Sequence, residues 1–127
     1  MKILLAEDNN LLREMLGCLF QENGDHSVVL TTNGREAWGL LEKGERFDYI
    51  ISDYQMPEMN GIGLLLNIRN DPRLDLAEIP FILMSGGSIQ SSQEELEEMC
   101  TKYGATFLAK PFSINDLVAL LEDAGCS

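Results

Sequence analysis

A doubly wound α/β fold is predicted by three observations. Short apolar, β-favouring runs alternate with longer amphipathic stretches from end to end, which is the sequence form of repeated βα units. Several runs are nearly continuous in apolar residues, as strands buried on both faces of a parallel sheet must be. The length, 127 residues, leaves room for one domain at the usual ~100 to 200 residues each. A single domain spanning 1–127 is therefore expected, with five strands and five helices.

The strands are expected at Lys2 to Ala6, Ser27 to Thr31, Tyr49 to Ser52, Phe81 to Ser85 and Thr106 to Ala109. The first helix should begin at Asn9 or Asn10 and end before Gly24. In it Leu11, Leu12, Met15, Leu16, Leu19 and Phe20 recur at helical spacing, and this stripe is expected to pack on the sheet. The second should run from about Gly34 to Lys43, with Ala37, Trp38, Leu40 and Leu41 inward and Gly44 as its stop. The third follows Gly61 through Leu64, Leu65, Leu66 and Ile68 to about Asn70, and Pro72 ends it. A hydroxyl followed by a carboxylate predicts the last two helix starts: Ser91 or Ser92 with Glu94 or Glu95, and Ser113 with Asp116. These helices should stop at Gly104 and near Gly125. Without a linker-like tract, repeat or low-complexity segment, the chain reads as a bare domain with no attached output module. The pattern is that of the flavodoxin-like size class, in which ligands bind beyond the carboxyl ends of the strands.

Charge narrows the function. Nine Lys and Arg against 21 Asp and Glu give a formal net charge of -12, which repels phosphate backbones and argues against direct nucleic-acid binding. Cys18, Cys100 and Cys126 show no C-x-x-C spacing, so reduced thiols in a cytosol fit better than disulfides or zinc. No run reaches the roughly 20 apolar residues that span a bilayer, and the short Ile3 to Ala6 stretch is no signal-peptide core. The expectation is a soluble cytoplasmic chain. His26 is the only histidine, which excludes a catalytic triad or a histidine-rich metal site.

The predicted strand ends carry the chemistry. Strand one ends in Glu7-Asp8, strand three in Asp53, strand four in Ser85-Gly86 and strand five in Lys110-Pro111. Parallel order brings these ends to one rim. Crowded carboxylates repel one another unless a cation joins them, and Mg²⁺, with its octahedral oxygen ligands and retained waters, suits such a pocket. Lys110 offers a point charge for a phosphate oxygen, Ser85 a hydroxyl, and Gly86 a backbone N–H that can approach closely. Together they form a candidate site for phosphoryl transfer onto Asp53.

These residues resemble the receiver domains of two-component response regulators, of the chemotaxis-type single-domain kind. The resemblance runs from Ile3-Leu4-Leu5-Ala6-Glu7-Asp8-Asn9 through Asp53-Tyr54-Gln55-Met56-Pro57 and Asn60-Gly61 to Ser85-Gly86 and Lys110-Pro111-Phe112. It implies that Asp53 accepts a phosphoryl group from a sensor histidine kinase, a phosphotransfer protein or a small acyl phosphate. It further implies that Asp8 ligates Mg²⁺ directly, that Glu7 acts mainly through a water, and that the Gln55 backbone carbonyl is a third protein ligand. Ser85 would then move toward the phosphate and Phe107 turn inward behind it, changing the partners of the face made by helix four, strand five and helix five. The implied role is a signalling switch that catalyses only its own phosphorylation and dephosphorylation. Its partners would be a kinase and a downstream protein or output domain, and it would be a monomer or a phosphorylation-dependent homodimer. Two features depart from the family pattern: Phe107 lacks the hydroxyl often found there, and Gly87 offers no side chain where, like Gln55, the position tunes phosphoryl lifetime.

Rival readings fit less well. A haloacid-dehalogenase-type phosphatase typically has a second Asp two residues after the nucleophile, where this chain has Gln55. A flavin-binding flavodoxin needs an anion-cradling loop where Glu7-Asp8-Asn9-Asn10 is acidic. A constitutive docking module would not need Glu7, Asp8, Asp53, Ser85 and Lys110 together. The Glu94, Glu95, Glu97, Glu98 run reads as a solvated helix face that could select a basic partner.

Overall fold

The computed structural model describes residues 2–22, 26–71, 79–86, 90–110, 115–117 and 119. In chain order the elements are β1 (Lys2–Ala6), α1 (Asn10–Glu22), β2 (Ser27–Thr31), α2 (Gly34–Glu42), β3 (Tyr49–Asp53), α3 (Gly61–Asn70), β4 (Phe81–Gly86), α4 (Gln90–Lys102) and β5 (Thr106–Lys110). Residues 115–117 and 119 are helical as well. The strands form one sheet in the order β2-β1-β3-β4-β5, every neighbouring pair parallel. This is the expected flavodoxin-like doubly wound fold.

Alternation along the strands divides the core in two. Leu4, Ala6, Ile50, Phe81 and Leu83 point to one face, where they meet Ala37 and Leu41 of α2, Leu64, Leu65 and Ile68 of α3, and Leu96 and Cys100 of α4. Ile3, Leu5, Ile51, Ile82 and Met84 point to the other, against Leu16 and Phe20 of α1 and Leu117. All five residues of β3 are buried, as the central strand of a sheet covered on both faces requires.

Local chemistry starts and stops the helices. Asn33 and Asn60 cap α2 and α3, their side chains accepting from the backbone N–H of Glu36 and Gly63 at 2.8 Å each. Asn9 does the same for Leu12 at the start of α1. Gly44, at φ 101°, and Gly104, at φ 70°, take the left-handed conformation that ends α2 and α4. At the foot of the sheet Arg69 of α3 donates through Nε to the Tyr103 carbonyl at 2.7 Å. Its Nη2 donates to the carbonyls of Ile79 at 2.7 Å and Gly104 at 3.3 Å.

Three expectations need correction. Leu11 and Met15 do not face the sheet: they are 69% and 54% exposed. Six apolar residues spread over more than the width of helix that a sheet can cover, and buried Gly17, lying against Leu30, takes up contact area instead. Secondly, α4 begins at Gln90, so Ser91 and Ser92 lie inside its first turn and are not its cap. Thirdly, β3, β4 and β5 each run one residue further than expected, so Asp53, Gly86 and Lys110 are themselves the last residues of their strands. The expected stops at Gly24, Pro72 and Gly125, the cap at Ser113, and Cys126, Gly87, Pro111 and Phe112 lie outside the described residues.

Candidate functional site

Register explains how distant residues meet. Ala6 pairs with Ser52, Asp53 with Met84, and Gly86 with Lys110, so the last residues of β1, β3, β4 and β5 lie side by side along one rim. Glu7 and Asp8 follow β1 directly. Glu7 donates its backbone N–H to the Thr31 carbonyl at 3.1 Å, which continues the β1–β2 ladder by one step and turns the Glu7 side chain under the rim. Asp8 is exposed above it.

Oxygens of Glu7, Asp8 and Asp53 lie within 4.8 Å of one another. Lys110 reaches in from β5, its Nζ 3.0 Å from Asp53 Oδ1 and 3.6 Å from Glu7 Oε2. Glu7 is buried, and its Oε2 accepts no hydrogen bond among the described residues. Such an oxygen carries charge that one lysine, shared with Asp53, cannot neutralise. Burial, and then the nearby Asp53, push the Glu7 carboxyl up to about 7, despite the opposing pull of Lys110. Burial likewise raises Asp53, against its hydrogen bond to Lys110. A divalent cation bound through oxygen relieves this surplus, so the donor set fits Mg²⁺.

The raised Glu7 pKa has a testable sign. In the metal-free protein the folded state holds a proton on Glu7 that the unfolded chain releases between pH 4.5 and about 7. Stability contributed by Glu7 therefore falls as pH rises through that window and is lost above it. Melting temperatures of wild type and Glu7→Gln without metal should diverge as pH rises from 5 to 8, the variant becoming the more stable. Parallel curves would show that Glu7 does not carry this penalty.

Of the remaining expected residues, Ser85, Gly86 and Gln55 lie at the same rim and Phe107 lies below it. Ser85 is buried at the end of β4, opposite Ala109 of β5, and Gly86 follows it. Gln55 is exposed, and with Asp8, Tyr54, Met56 and Asn60 it lines an open cavity of about 430 Å³ beside the carboxylates. Phe107 is half-buried on β5, paired with Leu83 and packed against the α2, α3 and α4 side of the core, two strand residues below Ala109.

Sequence reasoning missed three supports. Arg13 of α1 donates to the Glu7 carbonyl at 2.9 Å and to the Asn10 side chain, fastening the turn that carries Glu7 and Asp8; its place one turn after Asn9 was the available signal. Gly61 reads as a helix start, yet a Cβ there would stand 2.5 Å from the Asp53 carbonyl oxygen. Glu58, in the loop after β3, has φ 67°. For a residue with a side chain that conformation costs roughly 1–2 kcal/mol. Glu58→Gly is accordingly expected to be neutral or to stabilise by up to about 1 kcal/mol, because relief of strain exceeds the added unfolded-state entropy. A loss of more than 1 kcal/mol in urea unfolding would mean that the Glu58 side chain makes an offsetting contact.

Comparison with known proteins agrees with this geometry. The family model for the response regulator receiver domain matches residues 3–122. The chain is 30% identical over 126 residues to a chemotaxis protein CheY homologue of Campylobacter jejuni, covering 97% of this chain and 91% of that protein. The structure of Vibrio cholerae chemotaxis protein CheY4 superposes with a TM-score of 0.79 at 29% identity over 97% of both chains. The receiver domain of sensor histidine kinase PA1611 from Pseudomonas aeruginosa, solved with a magnesium ion coordinated in its active site cleft, gives 0.79 at 25% identity over 99% and 98%. Receiver domains of this family act as switches between histidine kinases and downstream targets, and bind Mg²⁺ at an acidic pocket. With matched sequence over nearly all of its length and the same fold, this chain belongs to the response regulator receiver domain family of two-component signal transduction.

Proposed function

We propose that the chain, as one receiver domain over 1–127, is a phosphorylation switch whose acceptor is Asp53. The observation that carries this reading is the buried Asp53 carboxylate held 3.0 Å from Lys110 beside Glu7 and Asp8. An Asp53 oxygen attacks the phosphorus of a phosphohistidine or acyl phosphate; the new O–P bond forms as the P–N or P–O bond to the donor breaks, and the donor leaves with that electron pair.

Glu7, Asp8, Asp53 and the Gln55 backbone carbonyl are the groups that would hold Mg²⁺, which when bound supplies neutralisation of the transferring phosphoryl oxygens. The likeness to the Pseudomonas receiver, solved with a magnesium ion in its active site cleft, supports Mg²⁺ as the cation. Lys110 exchanges its contact with Asp53 for a phosphoryl oxygen, and the Ser85 hydroxyl and Gly86 N–H donate to the same group. Drawing Ser85 toward the phosphate opens space into which Phe107 turns, biasing the face formed by α4, β5 and the following helix between two sets of partners. Those partners are a sensor kinase or phosphotransfer protein upstream and a downstream protein or output domain. The place of action proposed is the cytoplasm; no described helix is long and apolar enough to cross a membrane.

Intact-protein mass after incubation with acetyl phosphate, with and without Mg²⁺, tests the reading. One phosphoryl group gained only with Mg²⁺ is expected. No gain under either condition would leave a docking module that does not use phosphorylation.

A further inference from the structure

We propose that the edge of the sheet at β2, unpaired among the described residues, together with the outer stripe of α2, is a self-complementary surface that pairs two copies of this chain. The surface lies at the opposite edge from β5 and does not depend on the phosphorylation chemistry. β2 is an edge strand, and the Thr31 carbonyl points inward, accepting from Glu7. Backbone groups alternate in direction along a strand, so those of Ser27, Val29 and Thr31 face β1, while those of Val28 and Leu30 face outward.

A two-fold axis through Val29 sets the outward groups of Val28 opposite those of Leu30 in the partner, and Leu30 opposite Val28, each pair exchanging both hydrogen bonds as an antiparallel ladder requires. Leu30 is 44% exposed and lies on the α1 side of the sheet with half-buried Val28. The same pairing lays each Leu30 over the other copy's Val28. None of the residues from Ser27 to Thr31 carries a charge that would guard the edge.

The helix above completes the match. α2 packs over β1 and β2. With strands about 4.8 Å apart, the two-fold places the α2 axes roughly 10 Å from each other, a normal helix-packing distance. A groove of about 430 Å³ between β2 and α2 is lined on the helix by Glu36, Gly39, Leu40 and Lys43. These positions are one helical stripe, acidic at its start, basic at its end and small or apolar between. A Cβ at Gly39 would meet nothing within 4 Å, so this face is open to close approach. Antiparallel helices set each Glu36 against the other copy's Lys43. The Thr32 N–H and hydroxyl hold the Glu36 carboxylate at that end, at 2.6 and 2.7 Å. The net charge of -12 opposes association, but at 0.15 M salt a Debye length of about 8 Å screens it far more than pairs in contact.

Sedimentation of the unphosphorylated full chain from micromolar to millimolar concentration, at 0.15 M salt, tests this. Wild type should show a monomer–dimer equilibrium. Lys43→Glu, which opposes like charges twice per dimer, and Gly39→Gln, which fills the groove without touching the monomer core, should each weaken it about tenfold or more. Glu36→Lys with Lys43→Glu should restore it, thermal melts confirming that every variant is folded. A wild type that stays monomeric throughout, a Lys43→Glu variant that dimerises like wild type, or a folded double variant that does not regain association would each overturn the proposal.

Discussion

Asp53→Asn should gain no phosphoryl group from acetyl phosphate with Mg²⁺ present, while wild type gains one. An amide of the same shape keeps the packing at the end of β3 but has no carboxylate oxygen to attack phosphorus. The variant should also be no less stable than wild type when both are metal-free at pH 7 to 8. Two effects compete there: the 3.0 Å contact with Lys110 is lost, and the burial of a second carboxylate beside Glu7 is relieved. The raised Asp53 pKa says that the second is larger, because burial outweighs the lysine. Label uptake by Asp53→Asn at the wild-type rate would move the acceptor role elsewhere on the rim, with exposed Asp8 the first candidate to test. A clearly lower melting point would show instead that the lysine contact outweighs burial.

Gly61→Ala should destabilise the fold by about 3 kcal/mol. Helix propensity alone predicts the opposite sign, since alanine is favoured over glycine by about 1 kcal/mol inside a helix. The added Cβ, however, would stand 2.4 Å from Leu83 Cδ1 and 2.5 Å from the Asp53 carbonyl oxygen. Leu83 can rotate away, but the Asp53 oxygen is backbone of the central strand and yields only if β3 or α3 moves. The same shift displaces the carboxylate, so Mg²⁺ affinity measured by calorimetry should fall together with stability. A urea midpoint at or above that of wild type would show that the loop absorbs the methyl group and that the close approach is not obligatory.

The parts of the fold legible in the sequence were those carried by chain position. Strand ends are chain positions, so Glu7, Asp8, Asp53, Ser85 and Lys110 fall on one rim from the order of the chain alone. What resisted was everything set by width or contact. Periodicity gives the direction of an apolar stripe but not how much of it a sheet covers, which is why Leu11 and Met15 fit the stripe and yet face solvent. Ser91 and Ser92 carry the cap pattern, but a cap is defined by where the helix starts, and α4 starts before them. Gly34 and Gly61 look alike as helix starts, yet their need for a bare Cα comes from the carbonyls of Met59 and Asp53. The same limit applies to β2: its run Ser27 to Thr31 resembles the other strands, and only the order of the sheet leaves it at an edge.

Arg69 gives the molecule a hinge pin. By binding the carbonyls of Tyr103 and Gly104, just past the end of α4, and of Ile79, just before β4, it anchors the heel of α4 to the foot of the sheet, while the toe of the helix begins beside the rim. Any displacement of that toe is then a swing about a fixed heel and not a slide. A helix of 13 residues is about 20 Å long, so a tilt of about 5° carries its toe nearly 2 Å while the heel stays in register.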